Sequence, residues 1–534
     1  KDGIRRIRQA SLDAAGLGSV PVEYFQLWRN GEQVPLYTTV QSGILPSNGW
    51  IEFYGRMNDG KPDKELYRKP EWQLNDRYSL ETDTAAYFLT INTNVSQNLR
   101  LVPTVNDVAN NTLPAEPYFM YTYGHYFRNR INSGYAVNVG DYLYSSSYDR
   151  GEGYSSLDIT TTFNSAGVPT YGKNTVIIKN LFPYVGGPDA KFKVAVSGNA
   201  INQRRYLVTL NSDSIIGKQM DFFGYALDST IFPTSLIHPT TDTITLTNIT
   251  SCAATTCPSS DRMVVHKYEI TYPRLFNFGG AYNFEFTLPA SAVGNYLEIT
   301  NFAWENIAPI LYDMTNGKRY VANTSGAPML KFALEPSATE RHLILVSLEG
   351  GNWTFINSLE PRNFIDYTAP ANQGDYLIIS HPALFTGPNG SNPVEDYRAY
   401  RSSADGGSYD AKIYLIDEII DQFGFGIKKN PAAVRNFIRY ARLNYSVPPK
   451  HVFLIGRGVQ YVQHRSNESD PLMDKLNFIP PYGYPASDAL LAAEPGSSLP
   501  EVPIGRLSVI NGQEIADYLK KVKEFEQQQV ITSS

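Results

Sequence analysis

The sequence places a serine beside a histidine at the end of an apolar run, in the stretch DYLIISHPAL from Asp375 to Leu384. A nucleophile and a base in hydrogen-bond contact would be the working pair of a hydrolase. Neighbouring residues of an extended chain point to opposite faces, however, so we do not expect Ser380 and His381 to pair. The stretch also lacks both glycines of a G-x-S-x-G nucleophile elbow. We interpret it as the end of a strand, where the chain turns through Pro382.

The other residue types that bind metals or cofactors are spaced unfavourably. No two of the 7 histidines share HxH or HxxxH spacing, so the sequence predicts no zinc site. The acidic stretches MNDGKPDKE (Met57 to Glu65) and YDRGEG (Tyr148 to Gly153) contain the oxygen ligands and glycines of a calcium loop. Neither fits the EF-hand spacing, and we interpret both as solvated turns, with calcium binding as the alternative. No motif requires another cofactor.

The sequence has 2 cysteines, Cys252 and Cys257, in the stretch TSCAATTC. There is no second pair of cysteines to complete a metal site. A local disulfide that closes a loop tip is therefore the simplest interpretation, and it fits an oxidising compartment. Such a small loop would add little to the stability of the protein.

The charge pattern argues against a nucleic-acid partner, and the hydropathy argues against a transmembrane segment. The net charge is -6, and Lys and Arg are scattered apart from IRRIR at Ile4 to Arg8, which we interpret as the solvated face of an edge strand. We therefore expect no nucleic-acid partner. No stretch approaches the ~20 apolar residues that span a bilayer, so we expect no transmembrane segment.

The chain has 534 residues, which are too many for a single hydrophobic core, so we expect several domains. The predicted secondary structure also changes along the chain. Residues 1–155 are rich in aromatic and turn residues, and FQLWRNGEQVPLY predicts a hairpin at Asn30-Gly31 because both residue types tolerate positive φ. Residues 156–366 contain short strands with no long helical period between them, which predicts a domain of the β-sandwich type. The N-terminal two thirds are thus expected to be all-β.

Residues 367–534 change to apolar strands that alternate with amphipathic helices. Asn430 and Pro431 predict the start of one helix, and Asn511 with Glu514 predicts a capping box at the start of another. This alternation predicts parallel strands covered on both faces, in an α/β domain. Open α/β sheets place their sites beyond the carboxyl ends of the strands.

The C-terminal stretches resemble the gingipain-type C25 cysteine peptidases, whose catalytic domain is caspase-like and has two subdomains. The matching stretches, in the order of the family and from about Asp375 to Glu526, are DYLIISHPAL, KHVFLIGRG, SDALLA and PEVPIGRLSVINGQEIADYLKKVKEFE. They correspond to the first subdomain only. The N-terminal stretches KDGIRRIRQASLDAAGL, FQLWRNGEQVPLY and YDRGEGYSS look like the leading β-rich region of the type IX secretion sortase family, surface peptidases of the Bacteroidetes.

The resemblance implies a role at the cell surface in association with the outer membrane. Sortases of this family remove C-terminal sorting domains from secreted cargo and help to attach the cargo to lipopolysaccharide, together with outer-membrane secretion proteins. Their catalytic His lies in a Gly-His-Gly context and their Cys follows the next strand, both in the second subdomain. Neither context occurs before Ser534, so no catalytic residue is carried over. We expect the chain to be the N-terminal portion of such a peptidase and to be inactive alone.

Two residues are candidates for the edge of the cleft. Asp488 in SDALLA matches the family's Ser-Asp motif, and we assign it a structural or cleft-edge role. Arg457 stands where the third strand of these peptidases commonly ends in Gly-Asp, which argues against a calcium site there. That replacement leaves an alternative open, namely a non-catalytic docking module of the secretion machinery with a degenerate peptidase fold. A carbohydrate-binding β-sandwich is a third hypothesis, and it rests on aromatic abundance alone.

Overall fold

The structure, a computed structural model, describes residues 2–135, 148–251 and 260–527. The chain divides into two compact units, which we call the β unit and the α/β unit. The β unit comprises Lys1–Met57, Tyr87–Arg130 and Tyr154–Pro361. The α/β unit comprises Asn58–Ala86, Ile131–Gly153 and Arg362–Ser534. The division into residues 1–155, 156–366 and 367–534 stays a prediction.

Strands account for most of the regular structure before residue 357. A short helix in this part of the described chain, α1, spans Gln9–Ala14. The strands are β1 (Gly3–Arg8), β2 (Phe25–Arg29), β3 (Glu32–Val34), β4 (Tyr37–Thr38), β5 (Trp50–Gly55), β6 (Phe88–Ile91), β7 (Val102–Thr104), β8 (Phe119–Tyr126), β9 (Arg130–Ser133), β10 (Glu152–Ser155), β11 (Ile159–Phe163), β12 (Pro169–Thr170), β13 (Gly172–Lys179), β14 (Ala190–Gly198), β15 (Arg205–Leu210), β16 (Asp213–Gln219), β17 (Tyr225–Phe232), β18 (Thr241–Ile249), β19 (Ser260–Arg274), β20 (Asn277–Ala281), β21 (Asn283–Leu288), β22 (Asn295–Phe302), β23 (Ile310–Asp313), β24 (Lys318–Val321), β25 (Leu330–Leu334), β26 (Arg341–Val346) and β27 (Trp353–Ile356).

Two pairs of sheets in the β unit enclose separate apolar cores. The sheet β12-β11-β19-β14-β17, with β8 also paired to β19, shares a core with the sheet β13-β18-β15-β16. Phe192 and Tyr268 of the first sheet meet Tyr206 and Ile244 of the second in that core. The sheets β20-β22-β25 and β21-β26-β23-β24-β7 share the other core. Each pair is a β-sandwich, so the predicted all-β architecture of this part is confirmed.

The N-terminal strands form a third layered arrangement with the sheets β27-β1-β5-β4 and β3-β2-β6, which share a core. Asn30 and Gly31 have φ values of 51° and 77° and join β2 to β3, so the predicted hairpin is confirmed. The prediction of an edge strand for Ile4 to Arg8 is wrong. Strand β1 is an interior strand, paired with β27 and β5, and Arg6 forms a buried ion pair with Glu52 at 2.7 Å.

A four-stranded parallel sheet lies in the α/β unit, in the order β29-β28-β30-β31. Its strands are β28 (Tyr376–Ser380), β29 (Ala411–Leu415), β30 (His451–Ile455) and β31 (Ile504–Leu507). The helices that accompany it are α2 (Pro393–Ser402), α3 (Ile416–Phe423), α4 (Pro431–Asn444), α5 (Tyr461–Ser466), α6 (Pro471–Leu476) and α7 (Gly512–Glu526). The predicted α/β architecture of this part is therefore confirmed.

Helices cover both faces of the parallel sheet. On one face, Ile378 of β28 lies in a core with Val394 of α2 and Ile515 of α7. On the other face, the ring of Tyr414 lies 4.8 Å from that of Phe437 in α4. Every residue of β28 is buried, as a central parallel strand requires.

The helices of this unit begin where the capping residues predict. The side chain of Asn430 accepts a hydrogen bond from the backbone N–H of Ala432 at 2.9 Å, with Pro431 as the first helical residue. Asn511 accepts from the backbone N–H of Glu514 at 3.1 Å. The carboxylate of Glu514 in turn accepts from the backbone N–H of Ile510 at 2.9 Å. The bonds from Ala432 and Glu514 satisfy N–H groups that the first turn of a helix leaves without partners.

The interpretation of the two acidic stretches as solvated turns is wrong for their central carboxylates. Asp63 is 0% exposed and Glu152 is 2% exposed. Both oxygens of Asp63 accept hydrogen bonds, from the hydroxyl of Ser79 at 3.1 Å and from the backbone N–H of Leu80 at 2.6 Å. Both oxygens of Glu152 are likewise engaged by protein donors. The carboxylates are buried because segments distant in sequence pack over them.

Candidate active site

The carboxyl ends of the four parallel strands lie at one edge of the sheet, which we call the carboxyl edge. The strands end there at Ser380, Leu415, Ile455 and Leu507. Loops that leave several parallel strands meet at such an edge, which is where open α/β sheets hold their ligands. The side chains that follow these strands are therefore the candidates for a site.

Ser380 and His381 make separate hydrogen bonds at this edge. The hydroxyl of Ser380 is fully buried and donates to the backbone carbonyl of Ile455 at 3.0 Å. The Nδ1 atom of His381 accepts from the backbone N–H of Ala383 at 3.0 Å and caps the short turn Pro382–Leu384. The two side chains therefore do not form a nucleophile and base pair.

Five charged or titratable side chains form a connected group next to His381, which we call the His-Lys-Asp cluster. The Nε2 atom of His381 lies 3.8 Å from Oδ2 of Asp417. The Nζ atom of Lys429 lies 3.6 Å from Oδ1 of Asp474. The Nε2 atom of His464 lies 3.9 Å from the same Oδ1 atom. The charge of Lys429 acts on both histidines and so joins the two ends of the group.

The environment of the cluster favours neutral imidazoles. Burial lowers the pKa of His381, and Lys429 lowers it further, while Asp417 opposes both effects. Burial also lowers the pKa values of His464 and Lys429. Because Nδ1 of His381 accepts a hydrogen bond, the proton of the neutral ring is on Nε2, on the side of Asp417. The lone pair that a general base would use is thus already occupied.

Arg506 joins three segments at the carboxyl edge. Its guanidinium donates to the carboxylate of Asp488 through two bonds of 2.8 and 2.7 Å. The Nη1 atom donates to the backbone carbonyl of Gly456 at 2.9 Å and to that of Ile479 at 2.8 Å. A planar guanidinium can bridge these acceptors at once, which a lysine cannot do. Arg506 therefore fixes the end of β30 and the loops around residues 479 and 488 in one arrangement.

Arg457 lies beside this bridge, and its side chain is exposed. Its backbone N–H donates to the carbonyl of Val509 at 2.9 Å, and its carbonyl accepts from the N–H groups of Phe478 and Ile479. The backbone at Arg457 is therefore fixed, while the side chain is available at the edge. The cleft-edge roles of Arg457 and Asp488 stay predictions.

Arg506 is the residue at this edge that sequence reasoning missed. Its partners are 18 to 50 positions away in the chain, so its spacing alone does not reveal them. The stretch IGRL, in which it lies, is the signal that could have found it. The His-Lys-Asp cluster was missed for the same reason, because its members come from three helices and two connecting segments that are distant in sequence.

Three further sequence predictions concern the two cysteines, metal binding and a membrane-spanning segment. Cys252 and Cys257 lie outside the described residues, so the disulfide stays a prediction. Within residues 2–135, 148–251 and 260–527, no group of three His, Cys, Asp or Glu side chains is placed to hold a metal ion. Over those same ranges, no helix combines the length and the apolar character needed to cross a membrane.

The C-terminal part of the α/β unit matches the model of a known peptidase family. Residues 369–533 match the family model of Peptidase family C25. The match contains β28 to β31 and helices α2 to α7, and therefore the whole carboxyl edge. We call these residues the C25 segment. The resemblance to the gingipain-type C25 peptidases is confirmed for this segment.

A crystal structure of dimeric latent PorU from Porphyromonas gingivalis has a similar fold. The similarity covers 97% of this chain with a TM-score of 0.56 and 14% sequence identity. The chain spans about half the length of that protein, since 48% of the PorU chain is covered. At this identity the likeness shows the fold. The resemblance to the type IX sortases is thus confirmed at the level of the fold, as a multidomain chain of β domains followed by a C25 segment.

Two carbohydrate-binding modules are also similar over a short part of the chain. The CBM36-1 domain of a multidomain xylanase from the hindgut metagenome of Trinervitermes trinervoides has 11% identity and a TM-score of 0.14, over 22% of this chain and 87% of its own. A CBM36 module in complex with calcium and xylotriose has 10% identity and a TM-score of 0.14, over 21% and 77%. At these TM-scores the likenesses carry no argument. No curated protein matches the chain.

Proposed function

We propose that the chain is the N-terminal portion of a cell-surface cysteine peptidase that acts as a type IX secretion sortase. In this role it removes the C-terminal sorting domains of secreted cargo and helps to attach the cargo to surface lipopolysaccharide. The observation that carries the proposal is the C25 match of residues 369–533, which contain a complete carboxyl edge. The fold-level likeness to PorU supports outer-membrane secretion proteins as partners and the cell surface as the location.

The proposed chemistry divides between this chain and a second subdomain. A cysteine thiolate attacks the scissile carbonyl, a histidine transfers the proton to the leaving amine, and backbone N–H groups hold the oxyanion. Cys252 and Cys257 lie outside the C25 segment, and the chain spans 48% of the PorU chain, so we propose that the dyad belongs to a part of a longer polypeptide that follows this chain. The C25 segment would then form one wall of the cleft, held in shape by Arg506 and Asp488.

The sorting role is tested on the mass of secreted cargo in cells. Cells with the complete gene are expected to release cargo that has lost its C-terminal sorting domain and has gained lipopolysaccharide. Cells with the gene truncated after the codon for Ser534 are expected to export cargo that keeps the domain. Cargo that is processed normally in the truncated strain would refute the proposal.

His381 is expected to contribute little to peptide cleavage. In the longer polypeptide, His381→Ala should change kcat/KM by no more than about twofold, because the substitution removes no group that reaches the reacting bond on this account. The control is the cleavage rate of wild-type protein after equal treatment, with folding checked by thermal unfolding. A complete loss of activity in a folded variant would make His381 the catalytic histidine instead.

The second candidate is a non-catalytic docking module, and Arg457 favours it. An exposed cation stands at the end of β30 where the family commonly has an acid. If the chain is a docking module, truncation after the codon for Ser534 leaves both export and cargo mass unchanged, and removal of the C25 segment stops export. The cargo masses of the two strains separate the candidates.

A further inference from the structure

Two segments that precede the C25 segment in sequence belong to the α/β unit, and we call them the strap. The strap comprises Asn58–Ala86 and residues 148–153. It is bound to the C25 segment by polar contacts at several points. The hydroxyl of Tyr482 donates to the backbone carbonyl of Leu66. Arg435 donates to the carbonyl of Glu65 at 2.8 Å.

Aromatic rings fill the space between the strap and the C25 segment. The ring of Tyr148 stacks on that of Tyr461 with the centroids 5.0 Å apart. It meets the ring of Tyr482 edge-on at 5.5 Å, and that of Tyr67 at 5.8 Å. All four tyrosines are buried. An ionised group placed among these rings loses its hydration, and the apolar ring surfaces do not replace the lost interactions with water.

Four carboxyl groups of the strap are nevertheless buried, those of Asp63, Glu81, Glu152 and Asp149, and the first three hold the strap together. Asp63 closes the strap on itself through Ser79 and Leu80, as described above. Glu81 accepts from the hydroxyl of Tyr148 at 2.9 Å and so joins the two parts of the strap. Glu152 accepts from the hydroxyl of Tyr461 and so joins the strap to the C25 segment.

The charges that face these carboxyl groups do not neutralise them. Arg465 of the C25 segment acts on Asp63 and Glu81, but its guanidinium is already paired with Asp83 at 2.5 Å and with Glu468. The other charged groups that act on them are acidic. These are Asp59 near Asp63, Asp63 near Glu81, and Asp149 near Glu152.

Burial therefore favours the neutral form of each carboxyl group. Burial raises the pKa of Asp63 to about 7 and that of Glu152 to about 8. It also raises the pKa of Glu81 well above its usual value. A protonated carboxyl group can accept the bonds seen here and donate one in addition, without the cost of a buried charge.

We propose that a proton-dependent interlock fastens the strap to the C25 segment. Asp63, Glu81 and Glu152 hold the strap closed as neutral carboxyl groups and release it when they ionise. The inference is independent of the proposed peptidase function, because it concerns contacts within the α/β unit. It gives the α/β unit a segment whose attachment responds to pH.

The sign of the effect follows from where the protons go. In the opened strap each carboxyl group returns to an ordinary pKa near ~4, so opening releases protons. Opening is therefore favoured as the pH rises above about 4, and Asp63 and Glu152 stop contributing above about 7 and about 8. Each carboxyl group that keeps its proton in the closed state raises the opening constant about tenfold per pH unit.

The test is hydrogen exchange of strap amides in the 534-residue chain, corrected for the intrinsic pH dependence of exchange. Reporter amides are those of Leu80 and Asp149, which donate to the carboxyl groups. In the wild type, the opening constant is expected to rise at least about 100-fold between pH about 5 and about 7. In the triple variant Asp63→Asn, Glu81→Gln, Glu152→Gln it should rise less than about threefold, because amides cannot ionise. At positions 63 and 152 the amide oxygen can accept from the backbone N–H of Leu80 or Asp149, while the NH2 group donates to the hydroxyl of Ser79 or Tyr461.

Two further variants keep the inference open to refutation. Glu71→Gln replaces an exposed acid of the same segment and should keep the wild-type pH slope. If the triple variant does not fold, Glu152→Gln alone should lower the slope by about one proton per opening event. The interlock would be overturned if the opening constant of the wild type did not change with pH. It would also be overturned if the substitutions at Asp63, Glu81 and Glu152 left the pH dependence of that constant unchanged.

Discussion

Replacement of Arg506 by methionine is expected to lower the free energy of opening of the C25 segment by about 3 kcal/mol. The substitution keeps most of the apolar volume and removes the guanidinium. It leaves the carboxylate of Asp488 and the carbonyls of Gly456 and Ile479 without their shared donor in a largely buried place. Arg506→Lys should recover only part of the loss, because one ammonium group cannot reach all three acceptors. Hydrogen exchange of the amides of β28 and β30 measures the change.

The matched control is Arg439→Met in helix α4. Arg439 also pairs with a carboxylate, that of Glu494 at 2.8 Å, but its side chain is 49% exposed. An exposed pair of this kind contributes about 0.5 kcal/mol or less. If Arg506→Met costs no more than this control, the claim that Arg506 organises the carboxyl edge is wrong.

Arg204→Met is expected to destabilise the β unit by about 4 kcal/mol. Arg204 and Asp261 form an ion pair in which both side chains are 0% exposed. The guanidinium also donates to the backbone carbonyl of Ala200 at 2.9 Å and to that of Met220 at 3.3 Å. Removal of the arginine leaves a buried carboxylate without its cation, which costs more than the pair itself contributes. Hydrogen exchange of β14 and β19 amides measures the loss.

The neighbouring residue supplies the control for this prediction. Arg205→Met removes an exposed arginine from the adjacent position and should change stability by about 0.5 kcal/mol or less. The double variant Arg204→Met, Asp261→Asn should be more stable than the single variant, since the uncompensated charge is gone. Equal losses for Arg204→Met and Arg205→Met would contradict the expected cost of a buried charge.

The parts of the fold that could be predicted from the sequence are those set by local chemistry. Asn30 and Gly31 are neighbours that adopt the positive φ of a tight hairpin turn. Asn430 and Asn511 each bond to N–H groups within the next few residues of their helices. The run of β28 is apolar throughout because both its faces are covered. In each case the residues that determine the structure are close in sequence.

The parts that could not be predicted depend on partners far away in the chain. Arg6 is buried because β27, about 350 residues later in the chain, pairs with β1. The charged residues of Ile4 to Arg8 alone predict a solvated edge strand, because nothing near them in sequence indicates this partner. Glu152 is buried by Tyr461, more than 300 positions away. Acidic, glycine-containing stretches are usually solvated turns, and only tertiary packing overrides that preference.

In the candidate site, too, the features set by local sequence could be predicted, and those that depend on distant partners could not. The position of the carboxyl edge follows from the alternation of strands and helices, which the sequence displays. The contacts of Arg506 and the His-Lys-Asp cluster do not follow from it, because each joins residues from segments that are distant in sequence. Asp488 was found through a family motif, and its bond to Arg506 was found through the structure.

The most direct test of the central claim is the rate at which purified proteins cleave a peptide that contains a sorting-domain junction. The longer polypeptide is expected to cleave it, and alkylation of its thiols should abolish the cleavage. The 534-residue chain is expected to show no cleavage above background, because on the proposed function it carries one wall of the cleft and the dyad lies in the rest of the longer polypeptide. Cleavage by the 534-residue chain that is lost when one of its own residues is substituted would contradict the account.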